Sequence, residues 1–80
     1  MDIEVIMPRL GQEMTQGTIV EWYKKEGDQI EEGEPLFQVD TEKATIDVEA
    51  EVSGTLKQIL ADVDKEVPVG QVVAIIQAES

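Results

Sequence analysis

One amine stands among four carboxylates in the stretch VDTEKATIDVEA, residues 39 to 50. Lys43 has Asp40, Glu42, Asp47 and Glu49 around it, with no Gly or Pro inside the stretch. A lysine can act as a Schiff-base nucleophile, be modified by another enzyme, or simply sit in water. The first role requires a desolvated amine, and a site rich in carboxylates does not provide one. The rest of the chain narrows the chemistry further. There is no Cys and no His. That removes disulfides, thiolate metal sites and the commonest metal ligand, and no Ser–His or Cys–His unit can be built. The run DVDKEV, residues 62 to 67, spaces Asp62, Asp64 and Glu66 like the start of a calcium loop. Val67 stands where such a loop needs glycine and Val73 where it needs the closing glutamate, so no metal is expected.

The 80 residues carry 18 acidic and 6 basic side chains, a net charge of -12. Nucleic acid and anionic membranes are poor partners for such a surface. Charge of this size favours a soluble monomer. No apolar run reaches the length of a bilayer span, and the opening MDIEVIMP lacks the basic start of a signal peptide. The expected setting is cytoplasmic, or the mitochondrial matrix in a eukaryote. The length suits one domain, residues 1–80.

The elements that must position Lys43 are strands. Apolar residues alternate over Ile3 to Met7, Thr18 to Trp22, Leu36 to Val39, Thr45 to Val52, Thr55 to Leu60 and Val72 to Ile76. Short pieces near Ile30 and Val67 are candidates for pairing. In TIDVEAEV, Ile46, Val48, Ala50 and Val52 share one face, and Thr45, Asp47, Glu49 and Glu51 share the wet one. Pro8 ends the first strand, and Arg9 to Glu13 reads as an exposed loop. Trp22 and Tyr23 read as core and edge packing residues, and Met14 as a packing residue.

An internal repeat organises these strands. Residues 17–42 align without a gap on residues 54–79, an offset of 37 from Gly17 to Gly54. Gly17, Thr18, Gly33 and Glu42 meet identical residues. Ile19, Trp22, Tyr23, Ile30, Leu36 and Val39 meet Leu56, Ile59, Leu60, Val67, Val73 and Ile76. Gly27 meets Asp64, a residue type that tolerates a left-handed backbone. The repeat predicts two similar antiparallel sheets about a pseudo-two-fold axis, packed as an all-β sandwich or flattened barrel. It also predicts that Lys43 and the chain end occupy equivalent places on opposite sheets. Residues 40 to 44, DTEKA, must then turn, and Asp and Thr suit the first positions of a type I turn. Lys43 is expected exposed at that tip. On position alone this is a solvated surface lysine.

The hairpin VDTEKATIDVEA nevertheless resembles the lipoyl-lysine hairpin of lipoyl domains, whose core is Asp-Lys-Ala or a close variant; Glu42 keeps the charge of the commoner Asp. The resemblance runs from VIMPRLGQEMTQGTIVEW to VPVGQVVAII, essentially the whole chain. It looks like a lipoyl domain of the dihydrolipoamide acyltransferase (E2) component of a 2-oxo acid dehydrogenase complex, and its opening MPRLGQEMTQGTIVEW looks more like pyruvate-, acetoin- or branched-chain-type domains than 2-oxoglutarate-type ones. It implies two four-stranded antiparallel sheets and lipoic acid in amide linkage on Lys43, with Asp40, Glu42 and Ala44 as turn or recognition residues. It implies a carrier without an active site of its own. The arm would be acylated by a thiamine-diphosphate-dependent 2-oxo acid decarboxylase (E1), deliver to coenzyme A at the E2 core and be reoxidised by dihydrolipoamide dehydrogenase (E3). A lipoate-attachment enzyme would load it. Partner recognition is expected near Arg9, Leu10, Gly11, Gln12, Glu13 and Met14, a loop outside the repeat. The same fold serves biotinyl carriers of carboxylases, which by resemblance carry Met on both sides of the lysine; Glu42 and Ala44 stand there instead. An unmodified interaction module, such as the lipoyl-like hairpin domains of secretion adaptors, is the other alternative, and it has no need of a lysine at 43.

Overall fold

The computed structural model describes residues 2–78. Eight strands follow one another: β1 (Asp2–Ile6), β2 (Gln16–Trp22), β3 (Gln29–Ile30), β4 (Pro35–Asp40), β5 (Thr45–Glu49), β6 (Gly54–Ile59), β7 (Glu66–Pro68) and β8 (Val72–Ala78). They form two antiparallel sheets, ordered β1-β8-β6-β3 and β5-β4-β2-β7. The sheets remain separate, so the architecture is a flattened sandwich and not a closed barrel. Between them lie Met7, Ile19, Ile30, Leu36, Phe37, Val39, Leu56, Val67, Val73 and Ile76, each almost wholly shielded from water. Burial of this apolar set is the main force holding the sheets face to face. Trp22 is half-buried, stacks at a tilt on Phe37 with ring centroids 4.7 Å apart, and donates from Nε1 to the Ala61 carbonyl at 2.8 Å.

The repeat is reproduced bond by bond. In β2–β4, Thr18 faces Asp40; in β6–β8, Thr55 faces Gln77, each 37 residues on. Both ladders slip at the same place, between Ile19 and Glu21 in one and Leu56 and Gln58 in the other. Gly27 N–H donates to Leu56 O, and Asp64 N–H donates to Ile19 O in the mirrored bond. Asp64 is the described non-glycine residue with positive φ, at 72°, against 94° for Gly27. The left-handed position expected from Gly27 is therefore filled by Asp64. β1 is the counterpart of β5: Gly70 N–H donates to Met7 O as Gly33 N–H does to Ala50 O.

Several strand boundaries differ from the sequence expectation; β2 begins at Gln16, two residues before the expected Thr18. The strand read as Thr45 to Val52 ends at Glu49. Beyond it, Ala50 exchanges backbone bonds with the turn at residues 33–34, donating to Glu34 O and accepting from Gly33 N. The alternation of faces survives: Ala50 is buried and Val52 half-buried. The last strand, read as Val72 to Ile76, extends to Ala78.

Candidate functional site

β4 and β5 form a hairpin whose last paired residues are Asp40 and Thr45. Residues 41–44 make its tip, and Thr41 closes it. Thr41 N–H donates to Ala44 O at 2.8 Å. The Thr41 hydroxyl donates to the same carbonyl at 2.8 Å and accepts from Ala44 N at 3.1 Å, with a longer contact from Lys43 N at 3.4 Å. Asp and Thr were expected at the first positions of the turn. Beside the backbone bond, the threonine hydroxyl supplies the acceptor for the Ala44 N–H, a local bonding pattern that Ser and Thr favour in turns. No described residue of the tip has positive φ, which is why no glycine is needed.

Lys43 is exposed, as are Glu42 and Ala44 on either side. Among the described residues its Nζ has no hydrogen-bond or ion-pair partner; the recorded ion pairs are Lys24–Glu34 and Lys57–Asp2. The finger behind it is braced. Tyr23 Oη donates to Asp47 Oδ1 at 2.8 Å, and Gln38 Nε2 reaches the same oxygen at 3.3 Å. These bonds link β5 to β4 and to the end of β2 across the outer face. The Asp47 carboxylate raises the Tyr23 phenol above its ordinary value. Tyr23 is thus the edge residue that was expected.

Asp2 and Gln77 lie away from this tip. Asp2 pairs with Gln77, the pseudo-symmetric counterpart of Thr45 with Asp40. From Asp2, β1 runs toward the lysine end, where Met7 bonds Gly70 and Gln71, and Val69 bonds Thr15 beside the hairpin. The expected relation to Ser80 itself falls outside the described residues.

The predicted recognition loop comes to the hairpin. Leu10, Gly11, Gln12, Glu13 and Met14 share one groove of about 580 Å³ with Asp40, Glu42, Lys43 and Ala44. Thr41, Ile46 and Glu66 also line it. Among the described residues Lys43 is its one cation, set against the carboxylates of Glu13, Asp40, Glu42 and Glu66. Arg9 is not part of this groove. Its guanidinium turns back on the loop, donating to the carbonyls of Gly11 and Gln12, and so shapes the loop from behind. Met14 is half-buried, and its Sδ accepts from Leu10 N at 3.2 Å.

The repeat shows that this loop is an addition. Met7 and Ala50 are equivalent, as are Gly17 and Gly54. Nine residues, 8–16, separate the first pair, and three, 51–53, separate the second. Six residues have been inserted on the lysine side alone. Thr41 was expected in the turn, though the bonding of its hydroxyl was not; Ile46 and Glu66 were not singled out for the site by sequence reasoning.

The family model described as "Biotin-requiring enzyme" (Biotin_lipoyl) matches residues 3–76. The chain is 47% identical over 71 residues to the "Dihydrolipoyllysine-residue acetyltransferase component of pyruvate dehydrogenase complex" of Corynebacterium glutamicum, covering 89% of this chain and 10% of that protein. It is 38% identical over 73 residues to the "Dihydrolipoyllysine-residue succinyltransferase component of 2-oxoglutarate dehydrogenase complex" of Staphylococcus saprophyticus, covering 91% and 17%. The chain thus spans a small part of these relatives' length. Among solved structures, it is similar to the lipoyl domain of the 2-oxoglutarate dehydrogenase complex from Azotobacter vinelandii, with a TM-score of 0.75, 24% identity and coverage of 99% and 98%. It is also similar to a single-chain, multi-domain long-chain acyl-CoA carboxylase, with a TM-score of 0.82, 17% identity and coverage of 98% and 7%. At these identities the two structural likenesses establish the fold alone.

Proposed function

The chain belongs to the Biotin_lipoyl family, and from that premise we propose that it is a lipoyl carrier domain whose attachment residue is Lys43. The observation that carries this reading is an exposed amine, without a partner among the described residues, at the tip of a hairpin braced by Thr41 and Asp47. Amide formation needs an amine that a ligase can reach, and this one is reachable. When attached, lipoate supplies a dithiolane that can be reduced, acylated and reoxidised. The protein supplies position and recognition. A braced tip fixes the attachment point, and a tether of this kind presents its end at roughly millimolar effective concentration.

Lipoate is favoured over biotin by the residues beside Lys43, Glu42 and Ala44, and by relatives whose names specify a dihydrolipoyllysine residue. The proposed partners are an E1 2-oxo acid decarboxylase, an E2 acyltransferase core, the E3 dihydrolipoamide dehydrogenase and a lipoate-attachment enzyme. Both pyruvate and 2-oxoglutarate complexes occur among the names of the relatives. The cytoplasm or the mitochondrial matrix is the proposed setting. Asp40, Glu42, Ala44 and the loop from Leu10 to Met14 are the proposed recognition surface, supported by their shared groove and by the insertion that builds it.

Co-expression with a lipoate ligase or with a biotin ligase, followed by intact-mass measurement, tests the assignment. A single lipoyl adduct is expected, absent from Lys43→Arg. A biotinyl adduct without a lipoyl one, or lipoylation that persists in Lys43→Arg, overturns it.

A further inference from the structure

We propose that the groove between the inserted loop and the hairpin is a resting seat for the uncharged arm joined to Lys43. This rests on the carrier reading above. The seat begins at the attachment point, because Lys43 itself lines it. Its apolar lining comes from Leu10 and Met14 in the loop and Ile46 on β5, the first inward-facing residue beyond the tip. Leu10 and Met14 are packed against the core, so this side of the groove is a fixed surface. Asp40, Glu42 and Glu66 supply negative charge around it.

That combination selects its occupant. Amide formation removes the groove's one cation and leaves an arm of methylenes and a neutral ring. Such an arm meets apolar surface without bringing a charge into a field of carboxylates. Free lipoate carries a carboxylate and is repelled there. The repeat shows that the seat is additional to the framework, since the corresponding connection at residues 51–53 is six residues shorter. Tethering makes a weak seat sufficient. At an effective concentration of about 1 mM, an intrinsic dissociation constant of about 1 mM leaves the arm seated about half the time. It would be covered between visits and released when a partner covers the tip.

The test uses the domain with Nε-octanoyl-lysine encoded at position 43, and with Nε-acetyl-lysine there as the control. Both remove the charge, and only the first carries an arm. Methyl resonances of Leu10, Met14 and Ile46 are followed by NMR. The octanoyl form is expected to shift all three relative to the acetyl form, and Ile46→Asp to abolish the shifts at Leu10 and Met14. In the enzymatically lipoylated domain, reduction of the dithiolane by a water-soluble phosphine is expected to be about twofold faster in Ile46→Asp than in the parent, as half-time seating requires. Coincident octanoyl and acetyl spectra overturn the seat, whatever the variant does. Because the encoded residue bypasses the ligase, the two readings fail separately. A domain that a ligase lipoylates but whose spectra coincide loses the seat and keeps the carrier role. A domain that is never lipoylated loses the carrier role even if octanoyl shifts are seen.

Discussion

Replacing Thr41 by valine tests whether the amine is held by a braced tip or merely sits in a loop. The change preserves the β-branched shape and removes the hydroxyl. Two bonds of ordinary length are lost, to Ala44 O at 2.8 Å and from Ala44 N at 3.1 Å; the 3.4 Å contact with Lys43 N is too long to count for much. A net hydrogen bond contributes about 0.5–1.5 kcal/mol, and at an exposed tip water replaces part of that, so the pair is worth about 1.4 kcal/mol. That energy corresponds to about a tenfold change in the opening equilibrium of the tip. Native-state hydrogen exchange should therefore show the Ala44 amide exchanging about tenfold faster in Thr41→Val, with Thr41→Ser close to the parent. Because the tip opens locally, global stability should change by less than about 0.5 kcal/mol. The kcat/KM for lipoate attachment should fall, and Thr41→Ser should restore it. Unchanged exchange at Ala44 would refute the bracing role, as would a loss of global stability equal to the loss at the tip.

The two buried glycines of the repeat should respond unequally to alanine. A Cβ at Gly54 would lie 2.1 Å from the Gln77 carbonyl oxygen, which is backbone, so Gly54→Ala should cost about 3 kcal/mol or more in denaturant melts followed by Trp22 fluorescence. At Gly17 the nearest atoms are side-chain carbons of Val39 and Met14, at 2.6 and 2.9 Å, so Gly17→Ala should cost about 1–2 kcal/mol and disturb the Met14 methyl signal. For pH, the Lys24 ammonium, 2.8 Å away, and the Glu31 N–H hold the Glu34 carboxyl below its ordinary 4.5. A carboxyl depressed on folding gives stability that is present above pH 4.5 and lost as pH falls through its folded value. Replacing Lys24 by methionine should flatten that acid limb; an unchanged limb would show that the pair contributes nothing to it.

What was legible in the sequence was whatever the repeat or the alternation encoded. Gly17, Gly33 and their partners at 54 and 70 aligned the two sheets, and the match of Gly27 to Asp64 located a left-handed residue that composition would never suggest. The placement of Lys43 followed from the same offset. The bulges at Val20 and Lys57 were not legible, because a bulge sets neighbouring residues on the same side and merely blurs a period of two. The end of β5 at Glu49 was hidden for a related reason. Ala50 keeps the inward direction while its backbone bonds leave the ladder for the turn at 33–34, and only the second change ends a strand. Arg9 was grouped with its neighbours as a recognition residue; that its exposed guanidinium also donates to the carbonyls of its own loop is a contact that residue type does not announce. The groove depends on a loop folding against a hairpin some thirty positions away, and the repeat could mark that loop only as extra.

The arithmetic of the repeat has a topological consequence. Four residues, 41–44, join Asp40 to Thr45. Gln77 and Asp2, the pair that matches them, come from β8 and β1. One sheet thus carries its outer strand pair as a continuous hairpin, and the other holds the same pair by ladder bonds. A backbone cut between Glu42 and Lys43 would turn the first arrangement into a copy of the second without removing a described rung of the β4–β5 ladder.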